Sequence, residues 1–301
     1  MTCTYSPDRL RLAMLEVRTA MSREFAELYL SQVVERIRAT AAHIPPAKGS
    51  ELLVDIGCYG PVLGLLHTLL GYKRLGAVAK YDWGPCDSVV LPGWARERGI
   101  DLSIWFGDVE RQPLPWADQE ANVVLALEIL EHLAVDPMFA LAEANRILKP
   151  GGTLVLSTPN AASDKALVRL IAGKNPYIGL EYNGLNSDRH NRLYDTDELN
   201  ELLKCAGFSH VEVTTVAEGM KTRLGYRSDI SRLCVRFFRP RKVAKQSGDI
   251  LLACAVKTSP PLERYPDFLY ADRKLFSDWF ELEAARRDKA LTVTGIERSG
   301  K

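Results

Sequence analysis

The period of the hydrophobic positions changes near residue 51. Between residues 8 and 42 apolar side chains recur every three or four positions, at Leu10, Met14, Val17 and Met21 and then at Phe25, Leu28, Val33 and Ile37, with charges between them. That spacing predicts a helical N-terminal extension over residues 1–47, closed by the breaker His43-Ile44-Pro45-Pro46-Ala47-Lys48-Gly49. From residue 51 onward, short apolar runs alternate with amphipathic stretches. ELLVDIG, GAVAKYD, DLSIWFGD, NVVLALE and GTLVLSTPN read as five strands, and VEVTTVA and DILLACAVK as two more. PVLGLLHTLLGY reads as a helix with Pro61 near its first turn, and MFALAEANRILKPGG as one stopped by Pro-Gly-Gly. TDELNELLKCAGF reads as a helix capped by Thr196 and ended by Gly207. This alternation predicts an α/β fold over residues 48–258, a doubly wound, mostly parallel, seven-stranded sheet with helical and C-terminal additions.

Three segments break the alternation. Residues 161–193 form a long polar and aromatic connection, expected to act as a lid. Residues 217–247 carry nine basic side chains, and residues 259–301 form an aromatic tail around Phe268, Tyr270, Phe276, Trp279 and Phe280. The tail reads as packing or contact surface rather than chemistry.

Bulk composition mainly excludes. A formal net charge of +1 rules out a polyelectrolyte binder, so any affinity for nucleic acid or membrane must come from a local patch such as 217–247. The six cysteines are scattered without a C-x-x-C pair, which argues against a zinc cluster or disulfide framework and for a reducing compartment. With no signal-peptide core near the start and no apolar run of spanning length, a cytoplasmic enzyme is the expectation.

The candidate chemistry lies at the strand ends, where open α/β sheets bind ligands. Each of the first three strands is expected to end in an aspartate: Asp55, Asp82 and Asp108. Gly57 and Gly60 follow Asp55 in D-I-G-C-Y-G-P and would let a turn pass close to a ligand. A carboxylate after strand two suits a ribose diol. Three acids in register suit a cationic cofactor without phosphate better than a dinucleotide.

These residues resemble the class I S-adenosylmethionine-dependent methyltransferases. VDIGCYG is similar to their first motif, FGDVERQPLPW to the adenine-side motif, and LALEILEHL with LKPGGTLVLSTPN to the later ones. The resemblance implies Asp55, Gly57 and Gly60 near the methionine moiety, Asp82 with Trp83 at the ribose, and Asp108 with Val109 at the adenine. It places Glu128 inside the same cleft. Tyr59 and Pro61 replace two glycines usual in the first motif, and Asn122 stands where an aspartate is common before strand four.

EILEHL, residues 128–133, adds a second site. At helical spacing Glu128, Glu131 and His132 can share one face of a turn. Two carboxylates and an imidazole suit Mg²⁺ or Mn²⁺, with His190 of SDRHNRLYD as the further ligand. Alternatively His132 or His190 acts as a general base without metal. E-x-x-E-H followed by S-T-P-N and a later histidine resembles the enzymes that methylate the 2′-hydroxyl at the 3′ end of small RNAs. Its first part also resembles the ubiquinone-pathway O-methyltransferases. Tyr177, Tyr182, Asn183, Asn186, Arg189 and Asn191 suit a glycan-like acceptor. The expected activity is therefore O-methylation of a small-molecule or glycan-like hydroxyl, with RNA 3′-terminal 2′-O-methylation and a non-catalytic partner role as alternatives.

Overall fold

The computed structural model describes residues 5–15, 23–58, 60–79, 85–176, 181–182, 187–188, 190–217, 247–262 and 264–269. Residues 1–263 form one compact unit; residues 264–301 form a second, within which Leu269 N–H donates to the Pro266 carbonyl.

The helical start is present as two helices rather than one, α1 (Pro7–Leu15) and α2 (Arg23–His43). Val33, Ile37 and Ala41 of the second, with Ile44 just after it, join the core, and α1 buries Leu10, Ala13 and Met14. β1 (Leu52–Ile56) is buried throughout, and α3 (Gly60–Thr68) is buried from Gly60 to Leu66. Pro61 fits there because the first turn of a helix needs no donor from it.

β2 (Arg74–Ala79), α4 (Pro85–Glu97), β3 (Asp101–Phe106) and β4 (Ala121–Leu127) follow. Next come α5 (Pro137–Ile147), β5 (Leu148–Pro159) and α6 (Asp164–Ile171). A two-stranded pair, β6 (Glu181–Tyr182) with β7 (Ser187–Asp188), precedes α7 (Thr196–Cys205), β8 (Phe208–Val216) and β9 (Ile250–Lys257). The main sheet has seven strands in the order β3-β2-β1-β4-β5-β9-β8. β1 pairs parallel with β2 and β4, β2 with β3, and β4 with β5, while β9 runs antiparallel between β5 and β8. The expected seven-stranded, mostly parallel architecture is what forms.

Several local expectations change. Lys149-Pro150-Gly151-Gly152 does not stop a helix from outside: the chain enters β5 already at Leu148, which pairs with Ala121, and the Pro-Gly-Gly stretch makes a bulge before the register resumes at Val123 opposite Thr153. Asp195, not Thr196, caps α7; its carboxylate accepts from Asp197 and Glu198 N–H while Glu198 reaches back to the Asp195 N–H. Residues 161–193 are not wholly irregular, since α6 forms there with the Ser163 hydroxyl accepting from Ala166 N–H. Asn122 lies inside β4, where its side-chain Oδ1 accepts from Leu52 N–H and Lys149 Nζ. Among the described residues no helix is long and apolar enough to cross a membrane.

Candidate functional site

Strand order reverses between β1 and β4, and the crevice beyond their carboxyl ends is where such a sheet binds ligands. Asp55 sits there, the penultimate residue of β1, only 2% exposed. Burial raises its carboxyl to about 7, against a Cys58 thiol hydrogen bond that pulls the other way. Its Oδ2 has no hydrogen-bond partner. Beyond it the chain turns at Gly57, with φ of +75°, and the N–H groups of Gly57 and Cys58 both donate to the Val78 carbonyl of β2. A Cβ at Gly57 would run into Ile129, so glycine is required on both counts.

On the other side of the reversal, Glu128 follows β4 in the left-handed region at φ 55°. Such a backbone state costs a non-glycine residue about 1–3 kcal/mol and persists only where its surroundings hold it. Here they do. Glu128 N–H donates to the Ser157 carbonyl at 2.9 Å, the Ser157 hydroxyl donates to Glu128 Oε1 at 2.7 Å, and Arg36 of α2 donates to Oε2 at 3.0 Å. Asp55, Gly57, Glu128, Ser157 and Arg36 line one cavity with Met14, Ile37, Thr40, Val62 and Leu127. It measures about 70 Å³, room for a few waters, with the Arg36–Glu128 pair standing in it. Arg36 is the only cation among these lining residues.

Asp108 lies two residues beyond β3 and spends its carboxylate locally, with Oδ1 accepting from Glu110 N–H at 2.9 Å, while Val109 sits in the same turn. Gly60 opens α3 and is buried. Asp82 and Trp83 lie outside the described residues, as does Tyr59.

The sequence EILEHL does not put its three chemical groups on one helical face. Glu128 has left-handed backbone, and only Leu130–His132 form a single 3₁₀ turn. The turn carries Glu131 and His132 toward His190, and one ligating atom from each of the three lies within 4.8 Å of the others. Glu128 is not in that group; it is engaged with Arg36 and Ser157 instead. The imidazoles of His132 and His190 meet edge to face, centroids 5.0 Å apart.

Glu131 is 1% exposed, its Oε2 accepts from the Thr158 hydroxyl at 2.9 Å, and its Oε1 has no hydrogen-bond partner. Burial first, then the charge of Glu128, pushes its carboxyl well above the usual carboxylate range. A buried acid with one unmatched oxygen beside two imidazoles is chemically suited to a divalent cation, and Asp55 with its unmatched oxygen is suited to a cationic organic group. Ser157 and Thr158, adjacent at the end of β5, therefore each steady one of the two glutamates.

Sequence reasoning did not single out Arg36. It is flanked by Val33 and Ile37 on the core-facing side of α2, so its placement on that stripe was the available signal. The expected acceptor residues Tyr177, Asn183, Asn186 and Arg189, and the basic stretch 218–246, lie outside the described residues.

Ubiquinone biosynthesis O-methyltransferase of Cereibacter sphaeroides (strain ATCC 17029 / ATH 2.4.9) is 31% identical over 167 residues, 56% of this chain and 63% of that protein. The protein of the same description from Azorhizobium caulinodans is 31% identical over 173 residues, 58% of this chain and 64% of that one. The chain thus spans less than two thirds of the length of these curated relatives. A chain of the solved Haloferax volcanii complex that contains the Trm112 methyltransferase activator shares the fold, at TM-score 0.50 and 21% identity over 77% of this chain and 92% of that one. The profile of the family described as Methyltransferase domain matches residues 23–213, from α2 into β8 and across both halves of the site; the chain belongs to that methyltransferase family.

Proposed function

We propose that this protein transfers the methyl group of S-adenosylmethionine to a hydroxyl of a small-molecule or glycan-like acceptor, assisted by a divalent cation at Glu131, His132 and His190. The reading is carried by one observation: residues far apart in the chain converge into a carboxylate–imidazole–imidazole cluster beside the cleft at the sheet's reversal point. Asp55, ionised, would face the positive charge of the cofactor, and Arg36 would take its carboxylate on leaving Glu128. The cofactor brings an activated leaving group, so what the acceptor hydroxyl needs is loss of its proton. A divalent cation held by Glu131, His132 and His190 would lower the hydroxyl's pKa, so that its proton passes to solvent. Two imidazoles with one carboxylate suit Mn²⁺ better than Mg²⁺, which prefers oxygen ligands. The O-methyltransferase relatives support oxygen as the accepting atom.

Calorimetry with S-adenosylmethionine, followed by transfer of its labelled methyl group to a panel of hydroxyl acceptors with Mn²⁺ or with a chelator, tests both halves. Saturable binding and chelator-sensitive transfer are expected. Absence of cofactor binding removes the enzymatic reading, and transfer that survives chelation removes the metal.

A further inference from the structure

We infer that Asn191 is a positioning residue that holds His190 against Glu131 and His132. The inference rests on the reading of those three side chains as the reacting cluster. A 3₁₀ turn of only three residues, Leu130–His132, leaves its later carbonyls without partners inside the turn. Its closing bonds run from His132 N–H to the Ile129 carbonyl and from Leu133 N–H to the Leu130 carbonyl, and neither uses the Glu131 or His132 carbonyl. The Glu131 and His132 carbonyls are satisfied from far along the chain. Asn191 N–H donates to the Glu131 carbonyl at 2.6 Å, and Asn191 Nδ2 donates to the His132 carbonyl at 2.7 Å. Arg192 N–H adds a longer bond to the Glu131 carbonyl at 3.4 Å.

One asparagine thus caps two successive carbonyls of the residues whose side chains form the cluster, and its chain neighbour on the N-terminal side is His190. Spacing does the rest: with Asn191 clamped to the turn, His190 is delivered edge-on to His132. Backbone bonding downstream, from Ala161 N–H to the Tyr194 carbonyl at 2.9 Å, anchors the segment to the end of β5 but acts four residues away from His190. Beside the backbone N–H bonds of Asn191 and Arg192 to Glu131, the side-chain amide of Asn191 adds a side-chain tie to the turn, at the His132 carbonyl. An exposed asparagine with no buried apolar area to protect has little other structural work here.

The test uses the full chain and two variants, Asn191→Ala and the isosteric Asn191→Asp, which removes the amide donor without opening a cavity. In the parent protein, His190→Ala is expected to move the His132 Cε1–H resonance, because the two rings are in contact. In either Asn191 background that displacement should shrink or vanish, and Mn²⁺ affinity measured by electron paramagnetic resonance should fall roughly tenfold, as for other residues that orient metal ligands. If His190→Ala displaces the His132 resonance equally in all backgrounds, Asn191 does not position His190 and the inference is overturned. If the displacement depends on Asn191 while the parent binds no Mn²⁺, the positioning role stands and the metal assignment falls.

Discussion

Replacing Asp55 by asparagine should strengthen the ligand-free fold at neutral and alkaline pH while removing a pH-dependent grip on the cofactor. The folded-state carboxyl is raised from 3.8 to about 7 by burial. The unfolded chain therefore ionises this group near pH 4, whereas the folded chain resists until about pH 7. Across that window the group increasingly opposes folding, and above it the opposition is complete. At roughly 1.4 kcal/mol per pH unit the full effect is about 4 kcal/mol, a sizeable part of the 5–15 kcal/mol that stabilises a typical domain. A buried amide has its own desolvation cost of about 1–3 kcal/mol, comparable to that of the protonated carboxyl, so Asp55→Asn should gain about 4 kcal/mol at pH 8 and little at pH 4. Urea unfolding of the two proteins between pH 4 and 8 reads the gap, which should widen as pH rises. Binding moves in the opposite sense. Between pH 6 and 8 the ionised fraction of Asp55 rises from about a tenth to about nine tenths, so S-adenosylmethionine should bind the parent about tenfold more tightly at the higher pH. The asparagine variant, which retains only the ligand's own titration, is the reference. A variant destabilised equally at every pH, or one that keeps the parent's binding profile, would refute the reasoning.

Glu128→Gly should be about 1 kcal/mol more stable than Glu128→Ala in chemical denaturation, because both lose the carboxylate but only alanine keeps a Cβ at φ 55°; equal midpoints would show that the left-handed backbone stores no strain. Mn²⁺ binding at a pH where the buried Glu131 carboxyl is still protonated should expel its proton, since that carboxyl is held well above its ordinary range, and calorimetry in buffers of different ionisation enthalpy should lose that proton in Glu131→Gln. Asp195→Ala removes the α7 capping box and should lower stability by about 1 kcal/mol, with Asp195→Asn recovering most of it in thermal melts.

The fold was legible because its signals are additive along each strand. A buried parallel strand such as VVLAL is apolar on both faces, and no turn chemistry contradicts it. Boundaries were less legible where one local rule competed with another. Pro-Gly-Gly ordinarily ends helices, yet pairing of Leu148 with Ala121 starts the strand first. Ser163-Asp164 carried a cap signal for α6 that the polar surroundings masked. At the site, the residue types at 55, 57, 131, 132 and 190 could be picked from the sequence because their chemistry is unusual at strand ends. Which of them converge could not, since periodicity assumes regular backbone and Glu128 adopts a left-handed state that no helical wheel contains. Arg36 escaped for a different reason: an arginine on an amphipathic helix looks like any solvated charge until tertiary packing sets it opposite Glu128.

Among the described residues β9 is the last strand, yet it is an inner one, wedged between β5 and β8. During synthesis β5 must therefore wait with a bare ladder of donors and acceptors until residues 250–257 leave the ribosome, and β8 has nothing to lie against. Lys257 then fastens the late arrival by donating to the Asn145 and Leu148 carbonyls at 2.6 and 2.7 Å. Nascent chains interrupted before that point would display a sticky apolar edge. Quality control in the cell would meet this protein as a five-stranded sheet ending at β5, and a short β9-like peptide would be the natural decoy for that open edge.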